Sequence, residues 1–183
     1  MPCSHTNDYP ADILARAARI KLACFDVDGT LTDGRLLFDS DGRELKAFHV
    51  HDGQGLVLLR KAGLQVALVT ARTSPIVEQR AAELGVAAHM AIKDKLACVR
   101  GIATQSGITL EEVMFMGDDL PDLGVLQAVG LATAPANAHG WTRQRVHWRT
   151  LSRGGEGAAR EVCDLLLAAQ GRVDTLLSGA GSQ

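Results

Sequence analysis

Short apolar runs alternate with longer, one-sided apolar stretches along most of this chain. Residues 20–25, 65–69, 86–90, 112–116 and 130–134 are short and largely apolar, as strands buried on both faces are. Between them lie stretches with apolar residues at three- and four-residue spacing, which predict helices over 55–62, 75–84, 94–106, 120–129 and 157–170. In the last of these Val162, Leu165, Leu166 and Ala169 share one face. Gly63, Gly85 and Gly107 stand where three of the stretches stop, as helix-ending glycines do. A short helix is expected over 11–19, with Pro10 at its start, and a last strand over 146–148. After the first strand, 35–38 and 44–50 flank Asp39-Ser40-Asp41-Gly42, a hairpin turn signal.

Strands that alternate with helices predict an α/β fold, a parallel sheet wrapped by helices on both faces. The hairpin is an insertion after the first strand, too small to be a domain. The 183 residues are enough for one well-packed domain and short for two. We expect an N-terminal extension over 1–19, the α/β domain over 20–171 and a flexible tail over 172–183, where Ser178 to Gln183 are rich in Gly and Ser.

Composition narrows the function. A net charge of −2 gives no basic excess for nucleic acid, and aromatics at 4% are too scarce for a base-stacking surface. No apolar stretch approaches the roughly 18 residues of a membrane span. Residues 1–10 lack the charged-then-apolar layout of a secretory leader. Cys3, Cys24, Cys98 and Cys163 form no CxxC pair. Three fall inside expected strands or helices, which fits free thiols in a reducing cytoplasm and not a zinc site.

The chemistry is concentrated where strands end. Asp26 and Asp28 follow the first strand, and Gly29-Thr30 then turns the chain. Thr70 follows the second strand, with Arg72 just beyond. Lys95 opens a helix, with Lys93 a competitor for its role. Asp118 and Asp119 follow Met116-Gly117, and Asp122 comes one turn later. Ligands of open α/β sheets bind at the carboxyl ends of the strands.

Each residue type answers one demand of phosphate-ester hydrolysis. An anionic nucleophile is repelled by the phosphate unless a cation neutralises the site. Asp26 can attack phosphorus. Asp118 and the Asp28 backbone carbonyl can help hold Mg²⁺ against Asp26. The Asp28 side chain can protonate the leaving alkoxide and then accept a proton from water. Thr70 and Lys95 supply donors to the phosphoryl oxygens. Blander readings stand beside these. Thr70 can be a helix cap, Asp119 a cap or an outer metal partner, and Asp122 a support for Lys95, a partner of metal-bound water or a surface acid. His49 and His51 can be hairpin surface or interface residues. Gly154, Gly155 and Gly157 can be a flexible turn.

Asp26–Thr30 (DxDGT), Thr70, Lys95 and Gly117–Asp122 (GDDxxD) occur in the order in which they define the haloacid dehalogenase superfamily, and the chain resembles its phosphatase branch. It is similar in more detail to the 3-deoxy-D-manno-octulosonate 8-phosphate phosphatase family. That likeness is carried by the stretches from Asp26 to Gly34, from Phe48 to Gly53 and from Gly154 to Glu161. It implies a Rossmann-like doubly wound sheet without a large cap domain. It also implies Mg²⁺ dependence, an aspartyl-phosphate intermediate, an acidic sugar phosphate as substrate, and a role in lipopolysaccharide biosynthesis in the cytoplasm. A homotetramer built through the hairpin is implied as well, with substrate contacts at Thr30, Arg72 and Arg160. A phosphatase of another acidic sugar, such as a sialic acid 9-phosphate, and a non-catalytic oligomeric binding protein remain the competing readings.

Overall fold

The computed structural model describes residues 9–180. Helix α1 (Ala11–Ala17) leads into strand β1 (Leu22–Phe25). The hairpin β2 (Leu37–Phe38) and β3 (Glu44–Leu45) follows, then α2 (Val50–Lys61), β4 (Gln65–Val69), α3 (Pro75–Leu84), β5 (Ala87–His89) and α4 (Lys95–Gln105). The second half holds β6 (Val113–Met116), a 3₁₀ turn at Leu120–Asp122, α5 (Leu123–Leu126), β7 (Leu131–Ala134), α6 (Gly140–Arg143), β8 (Trp148–Arg149), α7 (Ala158–Ala169) and α8 (Val173–Ala180).

The sheet order is β5-β4-β1-β6-β7-β8, and every pair in it is parallel. Phe25 lies level with Leu68 on one side and Met116 on the other. Successive side chains leave a strand on opposite faces. Ala23, Phe25, Leu68 and Met116 therefore join a core with residues of α1, α2, α3 and α7. Leu22, Cys24, Val69 and Phe115 join a second core with residues of α4 and α5. Burial on both faces is why β1 and β6 are apolar throughout and do not alternate.

The elements differ from expectation where packing outweighs local preference. Helix α2 starts at Val50, ahead of the expected 55, although it must take in Gly53. Its buried face, with Asp52, Leu56 and Leu59, lies against the sheet and α7, and this contact outweighs the low helix propensity of glycine. The expected helix over 120–129 is split into a 3₁₀ turn and the short α5. Over its described part the tail is helical at Val173–Ala180, and Val173 and Leu176 pack on the first core. Helix α1 packs on α7, with Ile13 and Ala17 buried, so part of the 1–19 segment contributes to the core. Cys3 and the remainder of the tail, 181–183, lie outside the described residues.

The hairpin departs from the two cores in character. Leu36, Leu37, Phe38 and Leu45 are between 48% and 57% exposed. No described helix is long and apolar enough to cross a membrane.

Candidate active site

The chain leaves β1 toward β4 and β5, then returns to the other side of β1 through β6, β7 and β8. A crevice opens at the carboxyl ends where this order reverses. Asp26 directly follows β1 there, and Asp118 lies two residues past β6. The Asp26 amide donates to the Met116 carbonyl at 2.9 Å, and the Gly117 amide donates to the Thr133 carbonyl at 3.2 Å. The ladder is thus continued into both acidic loops, which fixes one against the other. Gly29 has φ +89°, and a Cβ there would stand 2.1 Å from Asp118 Oδ2, so only glycine lets the two loops approach.

Lys95 is the hub. Asp94 caps α4 by accepting from the Ala97 amide at 2.9 Å, which makes Lys95 the first helical residue. Its side chain is 4% exposed, with Nζ 2.7 Å from Asp26 Oδ1 and 2.6 Å from Asp122 Oδ1. Lys93 is exposed. Asp122 is buried, and its second oxygen accepts from the amides of Asp118 (3.0 Å) and Asp119 (3.3 Å). Asp122 therefore supports Lys95, and Asp119 serves as the cap of the 3₁₀ turn.

The charge is unbalanced. Asp26, Asp118 and Asp122 each offer an oxygen within 4.8 Å of the others, against one ammonium. Burial and the Asp122 charge push the Asp26 carboxyl up to about 6 despite Lys95. Burial, with Asp26, Asp122 and Asp119, pushes Asp118 up to about 7. A hard dication with oxygen ligands, such as Mg²⁺, fits this donor set and relieves the repulsion. Asp122 is committed to Lys95 and two amides, which leaves Asp26 and Asp118 as the pair for it.

The cleft over these acids has a volume of about 190 Å³, and Asp28, Thr70 and Arg72 also line it. Thr70 directly follows β4, and its hydroxyl accepts from the Arg72 amide at 3.2 Å. The Ile92 amide donates to the Thr70 carbonyl at 3.0 Å and ties this loop to the approach of α4. Arg72 reaches Glu44 Oε1 at 2.6 Å, and its Nε is 3.8 Å from Asp28 Oδ2. Lys46 Nζ pairs with Asp28 Oδ1 and lies 3.3 Å from Glu44 Oε1. Glu44 and Lys46 escape a search for strand-end motifs. Their signal is a pair of charges on either side of the exposed Leu45, at the end of β3.

Two expected contacts are not brought to the cleft. Thr30 is fully buried beneath it, with its carbonyl accepting from the Gly155 amide at 3.1 Å. Arg160 sits on α7, where its guanidinium is held by Asp164 at 2.8 Å, and it does not line the cleft. The glycine-rich loop is not a free turn. A Cβ on Gly154 would lie 1.9 Å from the Gly29 carbonyl, so this loop wedges beneath the Asp26–Thr30 segment. His49 and His51 stack edge to face at 5.0 Å, outside the cleft. A roomier cavity of about 450 Å³, lined by Arg16, Arg19, Arg145 and His147 among others, has no cluster of carboxylates. The chemistry therefore belongs to the smaller cleft.

Comparison with known proteins agrees with this geometry. Residues 92–162 match the family described as haloacid dehalogenase-like hydrolase. The 3-deoxy-D-manno-octulosonate 8-phosphate phosphatase of Escherichia coli K12 is 42% identical over 90% of this chain and 88% of its own. The phosphatase of that name from Moraxella catarrhalis, solved with magnesium, phosphate and 3-deoxy-D-manno-octulosonate (KDO), is 39% identical. Its TM-score is 0.91, with 93% of this chain and 99% of that one covered. A Xanthomonas campestris structure described as a hypothetical protein is 57% identical at a TM-score of 0.94, covering 97% and 98% of the two chains.

Proposed function

The chain belongs to the 3-deoxy-D-manno-octulosonate 8-phosphate phosphatase family of haloacid dehalogenase-like hydrolases, and on that basis we propose how its own residues act. It is a Mg²⁺-dependent phosphoric monoester hydrolase that converts 3-deoxy-D-manno-octulosonate 8-phosphate to the free sugar acid and phosphate, a step of lipopolysaccharide biosynthesis. The observation that carries the mechanism is the meeting of Asp26, Asp118, Asp122 and Lys95 at the sheet's switch point.

Asp26 and Asp118, with the Asp28 backbone carbonyl, would hold Mg²⁺. The bound ion supplies charge neutralisation for an already anionic phosphate. An Asp26 oxygen attacks phosphorus, and the bond from phosphorus to the sugar oxygen breaks. The leaving alkoxide takes its proton from the Asp28 carboxyl. Asp28, now a carboxylate, accepts a proton from water as the water oxygen attacks the aspartyl-phosphate. Phosphate leaves and Asp26 is restored. Lys95 and the Thr70 hydroxyl face the cleft as donors to the phosphoryl oxygens, in the manner of a preorganised anion hole. Arg72 is the cation best placed for the sugar acid's carboxylate.

Two finer readings complete the proposal. The apolar, half-exposed face at Leu36, Leu37, Phe38 and Leu45 supports a homotetramer joined through the hairpin. Arg160 would then contact substrate only across such an interface. Free Cys24 and Cys163, both buried, support a reducing, cytoplasmic setting.

Phosphate release from 3-deoxy-D-manno-octulosonate 8-phosphate, with Mg²⁺ and with chelator, is the test. Rapid, chelator-sensitive release is expected. Faster turnover of a nine-carbon sialic acid 9-phosphate would reassign the substrate.

A further inference from the structure

We infer that Lys46 is a positioning residue for Asp28, and that Glu44 holds Lys46 in place; the inference rests on the acid–base role proposed for Asp28 above. Three observations carry it. Lys46 comes from the hairpin insertion, eighteen residues from Asp28, yet its side chain is only 2% exposed and its ammonium lies on Asp28 Oδ1. Glu44, two residues earlier in β3, receives Lys46 at 3.3 Å, Arg72 at 2.6 Å and the Ser74 hydroxyl at 3.2 Å. Leu45, between them, is turned outward and 53% exposed.

The result is a compact quartet: two acidic side chains, Asp28 and Glu44, and two cations, Lys46 and Arg72. Such quartets are poor devices for stability, because the desolvation of each ion offsets most of the mutual attraction. They are good devices for orientation, because each charge has a fixed set of partners. Orientation is what Asp28 needs. It leaves the end of β1 two residues after Asp26, so both side chains start toward the same crevice. Yet Asp28 is absent from the cluster of Asp26, Asp118 and Asp122. Asp26 is held by Lys95 from α4, and Asp28 is drawn to the hairpin side by Lys46 and Arg72. Each of the two acids has its own lysine, delivered by a different segment. This separation lets one carboxylate attack phosphorus while its neighbour faces the oxygen that departs.

A role through Asp28 has a signature that a structural role lacks. A sugar alkoxide is a poor leaving group and needs a proton; 4-nitrophenolate leaves without one. The measurement is kcat/KM for 3-deoxy-D-manno-octulosonate 8-phosphate and for 4-nitrophenyl phosphate, with Mg²⁺, in the full-length protein. This ratio reports phosphoryl transfer to Asp26 and not the later hydrolysis, which the two esters share. Lys46→Met is expected to lower the value for the sugar ester about tenfold or more, and that for the aryl ester no more than about threefold. Lys46→Arg should restore part of the loss. Glu44→Gln, which leaves the lysine's charge in place, should shift the two esters apart in the same direction by less, and it carries the comparison if Lys46→Met lacks a normal melting transition. Equal losses on both esters, or none on either, would overturn the inference. A wild-type protein inert toward both would remove the phosphatase reading itself, and the role of Lys46 with it.

Discussion

In the central sheet Phe25, Leu68 and Phe115 are fully enclosed, and the carboxylates of the site stand at the strand ends. In the hairpin the assignment is reversed: Leu37, Phe38 and Leu45 are half exposed, while the Lys46 side chain is enclosed. The sheet satisfies itself. Its two faces are covered by this chain's own helices, so its strands need nothing from outside. The hairpin is satisfied on one side alone, where its charges meet Asp28 and Arg72. Two strands with an uncovered apolar face are marginal in water. The contrast separates a region that holds the fold from one that lines the approach to the active site and leaves an apolar face uncovered.

The sharpest way to test that division is to strike the strand end without touching the sheet. Asp26→Asn removes the proposed nucleophile and should lower kcat/KM by at least about 10⁴-fold. Thermal melting should be unchanged or higher, because a buried carboxyl is lost. Retention of a few per cent of activity would point to direct attack by water. The converse change is Leu166→Ala, in the first core and fully buried. It should cost about 2–5 kcal/mol in denaturant unfolding, with KM for the sugar phosphate unaltered.

A milder probe is pH. Asp26 and Asp118, ordinarily near 3.8, are raised to about 6 and about 7 in the folded chain. The native state therefore binds more protons than the unfolded one between about pH 4 and 7, and without metal their contribution to stability declines as pH rises through that interval. Protons and Mg²⁺ compete for the same oxygens, so the rise in Tm on adding Mg²⁺ should be larger at pH 8 than at pH 5. Differential scanning calorimetry with Mg²⁺ and with chelator checks this; an equal rise at both pH values would place the ion elsewhere.

The smallest effect on the fold should come from the hairpin's outer face. Phe38→Asp should dissociate the proposed tetramer, as read by light scattering, yet shift the unfolding free energy of the domain by no more than about 0.5 kcal/mol. An unchanged assembly would show that this face is not the interface.

Much of this was legible in the chain. The strand runs were readable because burial on both faces leaves few polar positions within them. Asp26, Asp28, Thr70, Lys95 and Asp118 were readable because each follows a strand or opens a helix, where short-range spacing ties chemistry to place. The lengthened α2, the split of 120–129 and the helix at Val173–Ala180 were not, since each depends on what the segment packs against. That Thr30 lies beneath the cleft and does not line it was unreadable for the same reason. A motif position gives the direction of the chain but not whether a neighbouring loop, here the one at Gly154 and Gly155, has already covered it.

The sequence by itself determined the alternating α/β plan and the identity of the acids, because strand burial and strand-end chemistry are local properties of a few consecutive residues. Tertiary structure alone decided that Asp122 holds Lys95, that the glycine-rich loop wedges under Asp26–Thr30, and that Lys46 and Glu44 reach Asp28. Those contacts join residues far apart in the chain, and side-chain charges find their partners only after the backbone has brought distant segments within a few ångströms.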